Sequence, residues 1–278
     1  VAAPVKPPVS NFELELKLFL EAVYVKYQHD FRQYSPATLR RRVAQALVDF
    51  NLGSISQLQE RVLREPEMFS RMLRYLTIQV SEMFRDPGYF AAVREHVVPQ
   101  LKTYPSVKVW VAGCSSGEEL WSLAILFHEE GLLERTLFYA TDINPEALRA
   151  AEAAIYPVER VADYSRNYLA AGGRHSLSDY YDAAYDAATF ARRLPVRVVF
   201  ADHSLATDSV FSEVHFVSCR NVLIYFDRTL QDRAVGLFRE SLVRHGYLGL
   251  GSNESLRFTA HGTAFETVAF RERLYRKH

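Results

Sequence analysis

Glu118 and Glu119 follow directly on Gly117 in Val109-Trp110-Val111-Ala112-Gly113-Cys114-Ser115-Ser116-Gly117-Glu118-Glu119, where an apolar run enters a glycine-bearing turn and opens an acidic helix. A phosphate loop offers backbone N–H groups at a helix N-terminus, often with a lysine, and two carboxylates placed there repel a pyrophosphate. The turn therefore suits a nucleotide-like ligand that lacks phosphate and carries positive charge or hydroxyls. S-adenosylmethionine, with an adenosine, a free ammonium and a sulfonium, has that chemistry. Asp142 lies about a βαβ unit further on, in Ala140-Thr141-Asp142-Ile143-Asn144, where a carboxylate at a strand end can accept hydrogen bonds from both ribose hydroxyls. Each feature also has a plain structural reading, turn chemistry for the glycines and an N-cap for the aspartate. Their order together favours a nucleoside site.

Arg220, Asn221 and Tyr225 form a second polar group, in Ser218-Cys219-Arg220-Asn221-Val222-Leu223-Ile224-Tyr225-Phe226-Asp227. They stand at the mouth of an apolar strand, where an unpaired buried donor costs on the order of 1–3 kcal/mol, so each needs a partner in the protein or in a ligand. Thr77-Ile78-Gln79-Val80-Ser81-Glu82-Met83-Phe84-Arg85 is a third polar stretch, between two differently patterned halves, and its plain reading is a domain seam.

The elements that must position these residues follow from periodicity. Residues 12–84 are helical in pattern. Ser35-Pro36 places a capping hydroxyl before a proline at the first helical position, Leu39, Val43, Leu47 and Phe50 recur on one face, and Gly53 closes the segment. Ser56 with Gln59 reads as a capping box for the next helix. Beyond Pro87, strands expected at 107–111, 136–140, 214–218 and 247–250 alternate with helices at 118–128, 145–154 and 228–243. That alternation predicts a parallel, doubly wound α/β sheet whose ligand sits beyond the carboxyl ends of the strands. Residues 156–199 break the rhythm and read as an inserted antiparallel hairpin or three-stranded sheet. The expected organisation is a tail over 1–11, a small all-α domain over 12–76, a linker over 77–90 and an α/β domain over 91–278, with the insert at about 157–198.

Composition narrows the function classes. The 33 basic and 33 acidic side chains cancel, so no global field draws the chain to nucleic acid or anionic lipid. The absence of an interleaved basic and aromatic strip argues the same way. Two cysteines, Cys114 and Cys219, make no disulfide framework, and no run of about 18 apolar residues suggests a membrane span, so a cytoplasmic protein is expected. His203, His215, His245 and His261 share no metal-ligand spacing, and no metal is expected. No nucleophile elbow is visible. The run Arg40-Arg41-Arg42 is either a solvated helix face or an electrostatic dock for an acidic partner.

Together these segments resemble the chemotaxis receptor methyltransferases, CheR, over nearly the whole chain. The resemblance is carried by the linker Thr77 to Arg85, the turn Ala112 to Glu119, Thr141-Asp142-Ile143, Cys219 to Phe226, and Gly251-Ser252-Asn253-Glu254-Ser255-Leu256. Gln79, Ser81 and Ser204 depart from the commoner Asn, Thr and Asn of that pattern, each keeping a hydrogen-bonding side chain. The resemblance implies a Rossmann-like S-adenosylmethionine methyltransferase domain carrying a small β-subdomain and preceded by the all-α domain. It implies transfer of methyl groups to glutamate side chains of methyl-accepting chemoreceptors, giving glutamate methyl esters and S-adenosylhomocysteine. Implied cofactor contacts are Gln79, Ser81, Arg85, Glu119, Asp142, Ser204, Leu205, Arg220 and Asn221, with Arg85 and Tyr225 nearest the reacting centre. The implied partner is the cytoplasmic helical domain of the receptor, docked by a monomeric enzyme through Arg40, Arg41 and Arg42. In some members of the family the β-subdomain captures a receptor C-terminal peptide by adding a strand; the short turn around 182–186 speaks against that here. The alternatives are a methyltransferase acting on a small molecule or nucleic acid, and a binding module that holds S-adenosylmethionine without turnover.

Overall fold

The computed structural model describes residues 10–77 and 81–278, and its internal contacts divide the chain into a helical unit up to residue 78 and a larger unit from residue 79. The helical unit contains α1 (Asn11–Tyr27), α2 (Pro36–Asp49), α3 (Ile55–Arg64) and α4 (Pro66–Leu76). α1 is capped by Ser10, whose hydroxyl accepts from the Glu13 N–H at 3.3 Å. α2 starts on Pro36 without a side-chain cap from Ser35, so the fixed proline φ, not a hydroxyl, sets this terminus. The capping serine of α3 is Ser54, accepting from the Gln57 N–H at 3.2 Å, two residues upstream of the expected Ser56. Ser56 instead donates to Glu15 at 3.0 Å. Leu39 and Val43 are buried as expected, but Ala46 takes the next core position while Leu47 and Phe50 are half-buried. That is the 3.6-residue period applied strictly.

The larger unit opens with α5 (Pro87–Ala92), a π turn at Val93–Val97 and α6 (Val98–Leu101). There follow β1 (Val107–Ala112), α7 (Glu118–Glu129), β2 (Thr136–Asp142), α8 (Pro145–Ala153), β3 (Ile155–Pro157), α9 (Val161–Ala170), β4 (Asp182–Ala184), β5 (Ala187–Thr189), β6 (Arg197–Asp202), β7 (Val214–Cys219), α10 (Arg228–Ser241), β8 (Leu242–Leu250), β9 (Phe265–Ala269) and β10 (Leu274–Lys277). The main sheet is seven-stranded in the order β6-β2-β1-β7-β8-β10-β9. Its β6, β2, β1, β7 and β8 run parallel, and β10 and β9 close one edge antiparallel. The parallel sheet read from the sequence is thus a mixed one, and β6, β9 and β10 are strands that reading lacked.

From β1 the chain winds through β2 to β6 on one side, then returns to β7 and β8 on the other. The winding reverses between β1 and β7, which makes the crevice at their carboxyl ends the topological switch point. The inserted sheet, β3-β5-β4, is antiparallel as expected. Its β4–β5 turn has Tyr185 and Asp186 at φ 48 and 60, matching the right-handed strand twist. α9 lies between its strands in sequence, an element the sequence reading did not contain. Tyr156, Tyr164, Tyr168 and Phe190 of the insert join Trp121, Phe127 and Phe138 in one buried core. Each such fully buried large side chain is worth about 1.5–3 kcal/mol.

Candidate functional site

The glycine turn after β1 is built by backbone constraint. Gly113 has φ 69, and a Cβ there would stand 2.5 Å from Val222 Cγ2, so the turn is pressed against the loop that follows β7. The Cys114 N–H donates to the Thr141 carbonyl at 2.9 Å, tying the ends of β1 and β2. Asp142 is buried at 8% exposure; its Oδ2 accepts the Ser115 N–H and its Oδ1 the Asn144 N–H, each at 2.9 Å. Burial pushes this carboxyl above its usual range, an effect the backbone donors reduce without cancelling. Each oxygen, having taken a backbone N–H, retains a lone pair for a hydroxyl donor.

The two glutamates of α7 face different partners. Glu118, 1% exposed, accepts from the Ser116 hydroxyl at 2.7 Å and pairs with Arg160 of the insert at 3.3 Å. Arg160 also donates to the Ser81 carbonyl at 2.6 Å, so this buried carboxylate ties insert, helix and linker together. Glu119 accepts from the Ser218 hydroxyl at 2.6 Å and from Arg220 Nη1 at 3.2 Å.

Arg220 is the hub of the crevice. Its side chain is 2% exposed, and Nη2 donates to the Arg85 carbonyl at 2.9 Å and to Asp86 Oδ2 at 2.8 Å. The guanidinium lies 4.2 Å from the centre of the Tyr89 ring, and the Tyr89 and Ser218 hydroxyls share a 2.6 Å hydrogen bond. Arg85 stands between Phe84 and Asp86, both at positive φ, and the Phe84 N–H is held by Ser122 Oγ at 2.8 Å. The linker chain is therefore fixed on both sides of Arg85. Glu82, between the expected contacts Ser81 and Arg85, accepts from Asn167 Nδ2 at 3.0 Å. Gln79 lies outside the described residues.

Asn221 has φ 59 and leads into a 3-10 turn, Leu223–Tyr225, that carries the half-buried Tyr225. After β6, Ser204 caps a local turn: its N–H donates to Asp208 at 2.9 Å, its hydroxyl accepts from Ala206 at 3.3 Å, and Leu205 is buried beside it. Arg85, Glu119, Asp142, Arg220, Asn221 and Tyr225 thus all belong to the carboxyl ends of β1, β2 and β7 or to the linker held against them, and Ser204 and Leu205 to the end of neighbouring β6. In the helical unit, Arg40 pairs with Glu13, Arg41 is exposed, and Arg42 is half-buried with its Nε shielded from solvent.

Sequence reasoning missed Asp86, Tyr89, Arg160, Ser218 and Glu254 as parts of this assembly. Glu254, in the late Gly-x-x-Glu motif, accepts from the Asn221 and Gly251 N–H groups at 3.0 and 2.6 Å. An acid in a motif just after the next strand, β8, was the available signal.

The donor set fits S-adenosylmethionine. Acidic side chains dominate the ends of β1 and β2, Glu118 and Glu119 are already compensated by arginines, and Asp142 offers a buried acceptor to a diol. The profile of the family described as "CheR methyltransferase, SAM binding domain" matches residues 79–273, and "CheR methyltransferase, all-alpha domain" matches residues 14–77. A relative from Pseudomonas putida, Cher3, is 56% identical over 267 residues, covering 96% of this chain and 98% of that one. Chemotaxis protein methyltransferase of Listeria monocytogenes is 26% identical, with 89% and 92% of the two chains covered. Chemotaxis protein methyltransferase 1 of Vibrio cholerae is 29% identical, with 86% of each chain covered. No helix among the described residues is long and apolar enough to cross a membrane. With one family profile matching each unit, and a glycine turn, aspartate and post-β7 turn converging on one crevice, the chain belongs to the CheR methyltransferases, a family that uses S-adenosylmethionine.

Proposed function

We propose that this chain methylates glutamate side chains in the cytoplasmic helical domain of methyl-accepting chemoreceptors, forming methyl esters and S-adenosylhomocysteine in sensory adaptation. The observation that carries the reading is the Arg220 hub: one buried guanidinium holds the Arg85 backbone against the strand end from which the Tyr225 turn departs. A cationic residue and a phenol-bearing residue are thereby brought to the same strand terminus. The chemotaxis names of the Listeria and Vibrio relatives support the substrate class.

S-adenosylmethionine, when bound, supplies an activated methyl group on a sulfonium. The protein's part is placement, because a glutamate side chain, with an ordinary pKa of about 4.3, is already ionised at neutral pH and needs no strong base. Holding two reactants in register accounts for most of such a rate. Asp142 would accept hydrogen bonds from the ribose hydroxyls, and Ser81, Glu119, Ser204, Leu205, Arg220 and Asn221 would complete the cofactor wall, with Glu119 and Arg220 acting largely by fixing one another; Gln79 is assigned to the cofactor by the family resemblance alone. Arg85 and Tyr225 orient the incoming carboxylate through a charge-assisted donor and a hydroxyl. Their grip must stay moderate, since tight hydrogen bonds lower carboxylate nucleophilicity. Arg40, Arg41 and Arg42 steer the acidic receptor surface to the helical unit, which affects encounter and register more than final affinity.

Methyl transfer from labelled S-adenosylmethionine to purified receptor fragments, followed by alkali, tests the reading. Methyl esters release labelled methanol. Label that survives alkali, as amides and nucleobase methyls do, or label that never reaches the receptor, overturns it.

A further inference from the structure

We infer that Glu254 is a positioning residue for methyl transfer: it fixes the Asn221–Tyr225 turn by bracketing it from behind. The inference rests on the reading of Tyr225 given above. Glu254 is 3% exposed and belongs to the loop after β8, the strand paired beside β7, which carries the turn. Its Oε2 accepts the Asn221 N–H at 3.0 Å and its Oε1 the Ile224 N–H at 3.2 Å, so one carboxylate spans both ends of the segment that sets the Tyr225 direction. Oε2 also accepts the Gly251 N–H at 2.6 Å.

Three features argue that the job is positional. Burying a carboxylate is costly unless it is fully hydrogen-bonded, and a core position beside β8 asks for nothing acidic. The donors are main-chain groups, which an apolar side chain would leave unsatisfied and a glutamine would meet with an N–H of its own. Asn221 is at φ 59, in the left-handed region that asparagine tolerates better than most residues, and the Glu254 carboxylate holds its N–H there. Gly251 makes room for the arrangement, because a Cβ there would stand 2.8 Å from the Asn221 nitrogen and 2.9 Å from Glu254 Oε2. Burial pushes the Glu254 carboxyl above its usual range, against the pull of those N–H groups.

The test compares Glu254→Gln, Glu254→Asp, Tyr225→Phe and the Glu254→Gln/Tyr225→Phe double variant. Gly251→Ala displaces the same carboxylate and serves should Glu254→Gln fail to fold. The measurements are hydrogen exchange of the 219–227 segment in the ligand-free protein, initial rates of methyl transfer at saturating donor and receptor, and affinity for S-adenosylhomocysteine. Glu254→Gln is expected to speed exchange of the turn amides and to lower kcat about tenfold or more, with KM for receptor changed less than about threefold, since small misplacements of reacting groups cost that much. Glu254→Asp recovers part of the rate. The double variant falls no lower than the slower single variant, because both act on one group. A kcat within about twofold of wild type despite faster exchange, or losses that multiply in the double variant, overturns the proposal. A merely structural acid would lower the melting temperature and leave kcat per folded molecule unchanged. If wild-type protein transfers nothing to receptor fragments, the substrate reading falls separately. S-adenosylhomocysteine affinity, served by Asn221 on the same turn, then decides: about tenfold weakening in Glu254→Gln upholds the restraint, and unchanged affinity removes it.

Discussion

Replacing Arg220 with methionine keeps an unbranched aliphatic side chain and removes the charge together with the guanidinium stacked on the Tyr89 ring. The cost follows from what the guanidinium touches. Asp86 is 44% exposed, so solvent screens that pair to about 0–1 kcal/mol. Glu119 is 15% exposed and faces a 2% exposed arginine, so removing its partner strands a largely buried carboxylate, an event that costs about 3–5 kcal/mol. Ser218 still donates to Glu119 at 2.6 Å, which places the expected loss at the lower end, about 3 kcal/mol. For a unit of this size that is a fall in melting temperature of about 6–12 °C. Trp110 and Trp121, the two tryptophans of the chain, both lie in the larger unit, so urea unfolding followed by their fluorescence reads this unit selectively. The double variant Arg220→Met/Glu119→Leu should recover about 2 kcal/mol or more, because an apolar pair replaces an ion pair that no longer needs desolvation. Single losses below about 1 kcal/mol, or losses that simply add, would refute the hub.

Gly113→Ala should cost about 2 kcal/mol or more, from positive φ and the 2.5 Å approach to Val222, and a companion Val222→Ala should return the steric share in denaturant titrations. Burial pushes Glu129 up, but the Tyr168 hydroxyl, the Arg174 N–H and Arg94 outweigh it and hold the carboxyl below its usual range. A depressed folded-state value stabilises above the unfolded value of about 4.5 and is lost as pH falls through the folded one. Glu129→Gln should therefore lower stability by about 3 kcal/mol at pH 7, and the gap to wild type should close on acidification below that point. Arg85→Ala and Tyr225→Phe should each lower kcat/KM for receptor by about tenfold or more; two normal values would end their assigned roles. Reversing Arg40 and Arg41 to glutamate should raise KM for receptor several-fold at low salt while calorimetric binding of S-adenosylhomocysteine stays unchanged.

Local chemistry was legible where a short segment carries its own geometry. The Gly113 turn, Asp142 at the end of β2 and the Arg220–Tyr225 segment after β7 could be placed because strand, turn and helix are contiguous there. Pairings between distant segments were not. β9 and β10 are short and carry mixed apolar and polar residues on both faces, and only the antiparallel pairing of β10 with β8 and of β9 with β10 makes them strands. β6, Arg-Val-Val-Phe-Ala-Asp, reads as readily as part of the insert, and its pairing with β2 decides otherwise. Glu118 and Glu119 looked alike as acids at a helix start. Burial separates them, one against Arg160 and the other against Arg220, and no periodicity encodes which arginine each will find. Ser54 and Ser56 compete for one helix terminus, and Glu15, 41 residues from Ser56 in sequence, breaks the tie.

α7 joins two anchors that have been described apart. Its first turn holds Glu118 and Glu119 in the crevice, and its last residue, Glu129, is a fully shielded carboxylate that collects the hydroxyls of Tyr168 and Tyr180, the Arg174 N–H and Arg94. The helix sets these anchors about 15–17 Å apart. The helix therefore works as a strut: the insert cannot shift without dragging the strut or stripping three of these four donors, those of Tyr168, Tyr180 and Arg174, from a charge shielded from water. Fluctuations of the small sheet are mechanically coupled to the wall around Arg220, and in native-state exchange the two ends should open as a single cooperative piece.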